Sequence, residues 1–451
     1  MHLHSILLIS LRTNMIRKTT IYPACFFALM LFLSHTACEA QEYTLDRLYP
    51  IALEYAEKIK LSEEDLIISE ANRDKSLSSL LPKVSTYAGL TKYTDDKYTA
   101  TGLLLQYKET SNWGVRLDQS ISLGGREIKA LNMSRENIQK SRFDLASMRE
   151  EYLYTVSSAF FDVLRAGKSV DIAKSNLERL GKHKSAAETK LRVGEVTKTA
   201  LLRAQAEFSA AKSELVKAEN GLKLSKAILS RLTGIENGFN LKEPDEDYKN
   251  KYVFAEQGLE PLKQKALNER TEIKSAMAQK KIAEEQLSFA KGGHWPSLGV
   301  EGVYSKMNAK PDSVTLNKSS VYGGLKLTLP IFEGGLRVAE VKEAESKQRQ
   351  ASLNFNDLKK SINIEVERAY LDFSTQKGMM NSNQEQVVFA KDNYNAVSKQ
   401  FEFGLANSLD VMDANNLLVS SEKQLAETRY NLDLSILKIK RSVGIPLYSG
   451  K

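Results

Sequence analysis

Cysteine is nearly absent from this chain of 451 residues: Cys25 and Cys38 are the only two, and both lie in or beside a short apolar stretch near the start. Downstream of residue 38 the chain can form no disulfide and no thiolate metal site. Histidine is almost as rare, and beyond residue 40 only His183 and His294 remain. That argues against a His-centred catalytic device. His183, in the helical stretch GKHK, reads as a surface side chain, and His294, ahead of Trp295-Pro296, as an interfacial one. Proline is missing from 83–243 and again from 331–445, so nothing there forbids very long helices. Apolar runs long enough to cross a bilayer are missing too: Ile21–Leu33 falls short of the ~20 residues a transmembrane helix needs, and a mean hydropathy of −0.36 is too polar for a bundle of such helices. No phosphate loop is present, because a Gly-Gly pair alone does not make one. A formal charge of +8, spread along the chain, leaves no nucleic-acid footprint. The sequence implies no catalytic residue, no metal and no cofactor.

What is present begins with a leader. Arg17 and Lys18 precede the apolar segment, and the small residues ACEA follow at 37–40. A basic end, an apolar middle and a small-residue boundary describe a secretory signal over 1–40. Residues 1–14 read as an upstream start, with Met15 the better initiator. Cys38 is a candidate lipid-anchor site, although His35 and Thr36 stand where an apolar residue is expected.

The rest of the chain is a duplication. Gly124-Gly125 recurs as Gly334-Gly335 at an offset of 210, and the same offset aligns AFFD (159–162) with AYLD (369–372) and Gly194 with Gly404. LTGI (232–235) meets SVGI (442–445) in that register. Upstream, LLPKVS (80–85) matches HWPSLG (294–299) at an offset of 214. The unit, about 200 residues, is larger than a solenoid repeat.

Each unit has two textures. In WGVRLDQSISL (113–123) apolar residues occupy mainly the odd positions and polar ones or glycine the even ones; Leu325, Leu327, Leu329 and Ile331 repeat the pattern against Lys326 and Thr328. That alternation predicts strands with one apolar and one polar face. The preceding segments, opened by Pro82 and Pro296, complete two hairpins, each closed by a Gly-Gly corner. The second texture is helix. From 145 to 180, apolar or small residues recur at alternating steps of three and four, the seam of a coiled coil. Val156, Ala159, Val163 and Ala166 keep that seam narrow. The resulting domain plan is a first repeat over 41–250 (helix 43–80, hairpin 82–123, long helix 126–192, helix 197–233, equatorial linker 236–253). A second repeat covers 255–446 (helix 256–294, hairpin 296–332, long helix 336–402, helix 407–443), followed by a tail, 447–451. Helices 197–233 and 256–294 are expected to stack end to end beside a long helix, with 43–80 and 407–443 as the other stacked pair.

Four strands cannot close a barrel, and an open sheet in lipid would leave its edges without hydrogen bonds. Strands of about 11 residues suit a tilted membrane crossing, with the polar face toward a lumen. Several copies would have to share one cylinder.

With LLPKVS, SLGGREI, RTEIKSAMAQ (270–279), WPSLGV, LPIFEGGLR, FGLANSLDVMDA (403–414) and the closing RSVGI in this order, the chain resembles the TolC-type outer-membrane efflux protein family over about residues 43–446. The resemblance implies a mixed α and β membrane protein of the cell outer membrane. In it, three copies form a 12-stranded β-barrel continuous with a periplasmic α-helical barrel. It implies passive conduction in a tripartite efflux or type I secretion system. Its partners would be outer-membrane lipid, a periplasmic adaptor (membrane fusion) protein and an inner-membrane RND, ABC or MFS pump. The tips Val193, Gly194, Glu195 and Phe403, Gly404, Leu405 would meet the adaptor, and Asp410 and Asp413 would line the periplasmic aperture. Where such channels place a latching arginine and aspartate, this chain has Ala406 and Ala200. Arg203 and Lys198 are the expected substitutes, pairing with Asp410 or Asp413. Asp410 also has a plainer reading as a helix-start acid. The alternative to a channel is a non-catalytic coiled-coil structural or adhesive envelope protein, which explains the rods and the leader but not two alternating hairpins.

Overall fold

The computed structural model describes residues 42–236, 238–244, 254–312 and 318–448. The leader 1–40 with Cys25 and Cys38 lies outside them, as do most of the linker 236–253 and the end of the tail 447–451. From Leu45 onward each repeat contributes the same six principal elements. The first gives α1 (Leu45–Tyr55), α2 (Glu57–Ser78), β1 (Lys83–Lys92), β2 (Glu109–Ser122), α3 (Arg126–Arg192) and α4 (Lys198–Thr233). The second gives α5 (Leu259–Glu269), α6 (Thr271–Lys291), β3 (Ser297–Lys310), β4 (Ser319–Thr328), α7 (Leu336–Glu402) and α8 (Ser408–Val443). No helix among the described residues is long and apolar enough to cross a membrane.

α3 and α7 each run 67 residues, ~100 Å at 1.5 Å per residue. The coiled-coil seam on α3 is real: Leu145, Tyr152, Val156, Ala159, Val163 and Val170 are buried. α7 does the same with Ile362, Val366, Ala369 and Phe373, at steps of four, three and four. Around its middle α3 is buried on further sides, so that Leu153, Phe160 and Phe161, off the seam, are also enclosed.

Laid side by side, the helices form two four-membered rows. The upper row is α2–α3–α6–α7, each helix joined to the strand above it, so that it matches the sheet order β1-β2-β3-β4. The lower row is α4–α3–α8–α7. Stacking between the rows departs from the expected pairing. The helix 198–233 ends at Gly234 against the ring of Tyr55, so it lies beneath α1 and α2 rather than beneath α5 and α6. The C-terminal helix ends at Gly444 against Glu269 and Arg270, beneath the α5–α6 junction. Both arrangements bring the same helix ends to the equator. The described part of the linker touches both lower short helices: Phe239 O accepts from Lys226 Nζ on α4 at 2.9 Å, and Glu243 accepts from Tyr430 on α8 at 2.9 Å.

The two upper short helices are not continuous. Ala56 (φ −64°, ψ 111°) and Arg270 (φ −60°, ψ 131°) each take one extended step and interrupt the helix. The breaks are repeat-equivalent at the offset of 214. Before each, the same pattern is buried: Leu48 and Ala52, Leu262 and Ala266. After the first break Ile59 stays in the core and Leu66 packs against it, while further along α2 meets α3 through polar contacts, such as Ser69 with Ser141 at 2.8 Å, besides Arg149 with Glu63 at 2.8 Å. The second joint is ionic. Arg270, with 5% of its side chain exposed, reaches Glu272 and Glu365 at 2.6 Å each. Arg441 also approaches Glu365 and pairs with Glu151 on α3. Burial works against the Arg270 charge, but hydrogen bonds and attraction from Glu272 and Glu365 more than offset it.

Candidate functional site

The sheet separates two chemistries. Antiparallel register sets Val84 opposite Leu117 and Val115 opposite Tyr304, with Leu298 opposite Leu327. Residues directly opposite share a face, so these apolar side chains form one surface. It is bare: Val84 is 67% exposed and Leu325 77%. The other face carries Arg116, whose guanidinium reaches Asp118 at 2.8 Å and Glu301 at 3.1 Å. Among the described residues of one chain, β1 and β4 each pair on one side only.

Pro82 and Pro296 stand one residue before β1 and β3. At the corners, Gly125 (φ +69°) and Gly335 (φ +86°) cap the two long helices in the left-handed region that glycine tolerates. Their partners differ. Gly334 has φ +63° and open space around it. Gly124 instead lies against Gly292, whose backbone a Cβ would overlap. Close approach of two segments, not turn geometry, fixes Gly124.

At the far end the two tips adopt one conformation. Gly194 (φ +79°) and Gly404 (φ +76°) close α3 and α7. The next amides reach back, Glu195 N to Lys190 O at 2.9 Å and Leu405 N to Gln400 O at 2.8 Å, satisfying carbonyls at the helix ends. Val193, Phe403 and Leu405 are left exposed. Glu195 is tied to Lys190 at 2.5 Å. Both tips border one groove of about 730 Å³ that also includes Asp410. Asp410 forms a capping box with Asn407: Asn407 N donates to Asp410 Oδ2 at 2.9 Å, and Asp410 N donates to Asn407 Oδ1 at 3.1 Å. Asp410, Asp413, Arg203 and Lys198 are all exposed. Among the described residues of one chain, neither Arg203 nor Lys198 forms an ion pair with either aspartate.

A polar seam between α3 and α8 was not anticipated. Asn415 donates to Asn176 at 2.7 Å and accepts from Arg179 Nε at 2.9 Å; Arg179 also reaches Glu422 at 3.4 Å. Higher up, Arg165 donates to Asn431 at 2.8 Å. At the lower end His183, expected on the surface, is 6% exposed and shares a hydrogen bond of 2.8 Å with Ser408. Its ring lies 4.8 Å from that of Phe401. Burial pushes the imidazole pKa below its ordinary value. The expectation failed because GKHK looks polar in isolation, while the helix turns His183 inward between α7 and α8. The signal available was the heptad step Ser408–Asn415–Glu422 on α8, a polar stripe where a core face is expected. His294 closes a short 3-10 turn before β3.

An open sheet with a bare apolar face, continuous with paired ~100 Å helices, defines a membrane channel subunit of the barrel-and-tunnel type. The chain belongs to the outer membrane efflux protein family, whose model matches residues 48–235 and 262–444. It is 24% identical over 396 residues to outer membrane protein TolC of Vibrio cholerae serotype O1, an alignment covering 85% of this chain and 88% of that one. The cobalt-zinc-cadmium resistance protein CzcC of Cupriavidus metallidurans is 24% identical over 318 residues, covering 69% and 72%. Among solved structures, the CmeC outer membrane channel of Campylobacter jejuni superposes with a TM-score of 0.77 at 19% identity, covering 89% of this chain and 86% of that one. The protein is an outer-membrane channel of the efflux and type I secretion class.

Proposed function

We propose that three copies of this chain close into one conduit, twelve strands in the outer membrane above a ring of helices in the periplasm. The observation that carries this reading is the pair of free edges. Among the described residues, β1 and β4 each lack a neighbour on one side, and hydrocarbon offers no substitute hydrogen bonds. Closure in a ring pairs β4 of one copy with β1 of the next. The apolar face then meets lipid, and the Arg116–Asp118–Glu301 face meets water in the lumen. The conduit is passive and performs no covalent chemistry.

The tips Val193–Glu195 and Phe403–Leu405 are the docking ends for a periplasmic adaptor, which couples the conduit to an inner-membrane pump of the RND, ABC or MFS type. Asp410 and Asp413 line the aperture, three of each around the axis. Since Arg203 and Lys198 do not reach them within one chain, any latch they supply runs between neighbouring copies. The mature chain, purified in detergent, should have the mass of a trimer and conduct ions in planar bilayers. A monomer that stays soluble without detergent overturns the proposal.

A further inference from the structure

The bare apolar face changes character abruptly toward the ends of the strands remote from the helices. Up to the row of Val115 and Tyr304 it carries no charge, and the Tyr304 ring lies 5.6 Å from that of Trp113 in the next row. From the Trp113 row outward, on the same face by register, come Lys306, directly opposite Trp113, and two rows further the row Lys92–Glu109–Lys310. Glu109 sits between the two lysines, 3.3 Å from Lys92 and 3.0 Å from Lys310. Both ammonium groups stay open, with side chains 66% and 79% exposed, and Lys306 is exposed as well.

We propose that this cluster binds the phosphoryl groups of a polyphosphorylated glycolipid in the outer leaflet; the inference rests on the conduit reading above. Three arguments carry it. A lysine on the lipid face costs ~2–4 kcal/mol at the bilayer midplane and little near the interface, so the first lysine, level with Trp113, marks the approach to the headgroup plane. Edge protection is a common use of lysine on strands and could account for Lys92, but β3 is an inner strand, and Lys306 and Lys310 guard no edge. One carboxylate faces three cations, leaving net positive charge directed at lipid. The spacing selects the headgroup. Lys92 and Lys310 flank one strand, ~10 Å apart, and Lys306 and Lys310 are four residues apart, ~13 Å. Separate lysines therefore address separate phosphates, as a headgroup with two of them provides.

The test is native mass spectrometry of detergent-purified trimer with added lipid A bearing two phosphates, its dephosphorylated form, or phosphatidylglycerol. Wild type should retain the first, and Lys92→Gln/Lys306→Gln/Lys310→Gln should lose at least ten-fold of that retention. Lys306→Arg/Lys310→Arg should keep it. Equal retention by the triple variant, or of dephosphorylated lipid A, overturns the proposal. Retention of phosphatidylglycerol equal to that of lipid A overturns the two-phosphate assignment. Retention is compared only between samples with wild-type trimer mass and conductance, which separates loss of this site from failure of the conduit.

Discussion

His183 shows how far one side chain can depart from its local sequence. Held neutral by burial against Phe401 and hydrogen-bonded to Ser408, it takes up a proton less readily in the fold than in the unfolded chain. Stability from this group is complete above the unfolded histidine pKa of about 6.5 and is lost as pH falls through and below it. Wild type should therefore lose more thermal stability than His183→Gln between pH 7.5 and 5; equal losses would show that another group governs the acid limb. A second residue-level contrast separates the two corners. Gly124→Ala must displace the Gly292 backbone and should cost several kcal/mol, in the range of overpacked cores. Gly334→Ala meets nothing and should cost only about 1 kcal/mol, from its positive φ. Heat dissociation of the two variant trimers gives the comparison. The repeat announces both glycine pairs, but the close approach to Gly292 has no local signal, because it involves a segment about 170 residues away.

Between elements, two devices join the lower helices to the rest. The seam of Asn176, Arg179 and Asn415 ties α3 to α8, and so joins the two tip hairpins of one chain. Asn415→Leu leaves the Asn176 amide and the Arg179 guanidinium without their partner, at about 1–3 kcal/mol for each group left unsatisfied. The tips should part more readily, and the variant should show higher conductance and greater sensitivity of cells to antibiotics with trimer mass unchanged. Wild-type conductance in this variant would remove the seam from any role at the mouth. The joint at Arg270 is the second device. Removing one partner of a buried ion pair costs ~3–5 kcal/mol, and since Glu272 and Glu365 are about one-third exposed, screening reduces this to roughly 2–3 kcal/mol for Arg270→Ala. A lowered unfolding midpoint in denaturant would report it. The two long helices, the strands and the glycine turns at both ends were legible because each rests on a local pattern: alternation, three-four spacing, glycine, proline. The breaks at Ala56 and Arg270 were not, since neither residue opposes helix and the extended step is imposed by packing at the equator. The stacking order was equally hidden, because both pairings place helix ends at the same height.

For the molecule as a whole, sheet and helices face the same problem. The upper row α2–α3–α6–α7 ends in two helices that each have one flank uncovered, as the sheet ends in two strands. Leu61 and Ile68 on α2 are 66% and 56% exposed, and Ile364 and Leu371 on α7 are 66% and 55% exposed. Large apolar side chains bared on both margins of one layer mark surfaces made to be covered, and closure in the proposed ring would cover them all at once, α7 of one copy against α2 of the next. Burial of such a side chain contributes ~1.5–3 kcal/mol, and the contact recurs three times per ring. Ile364→Glu is therefore a test of assembly rather than of folding. Within one chain the position is already open to water, so the variant protomer should keep its helical content by circular dichroism. At the joint between copies a carboxylate would lose its water, and light scattering in detergent should find monomers where wild type gives trimers. Unaltered trimers would mean that the α2 and α7 margins do not meet.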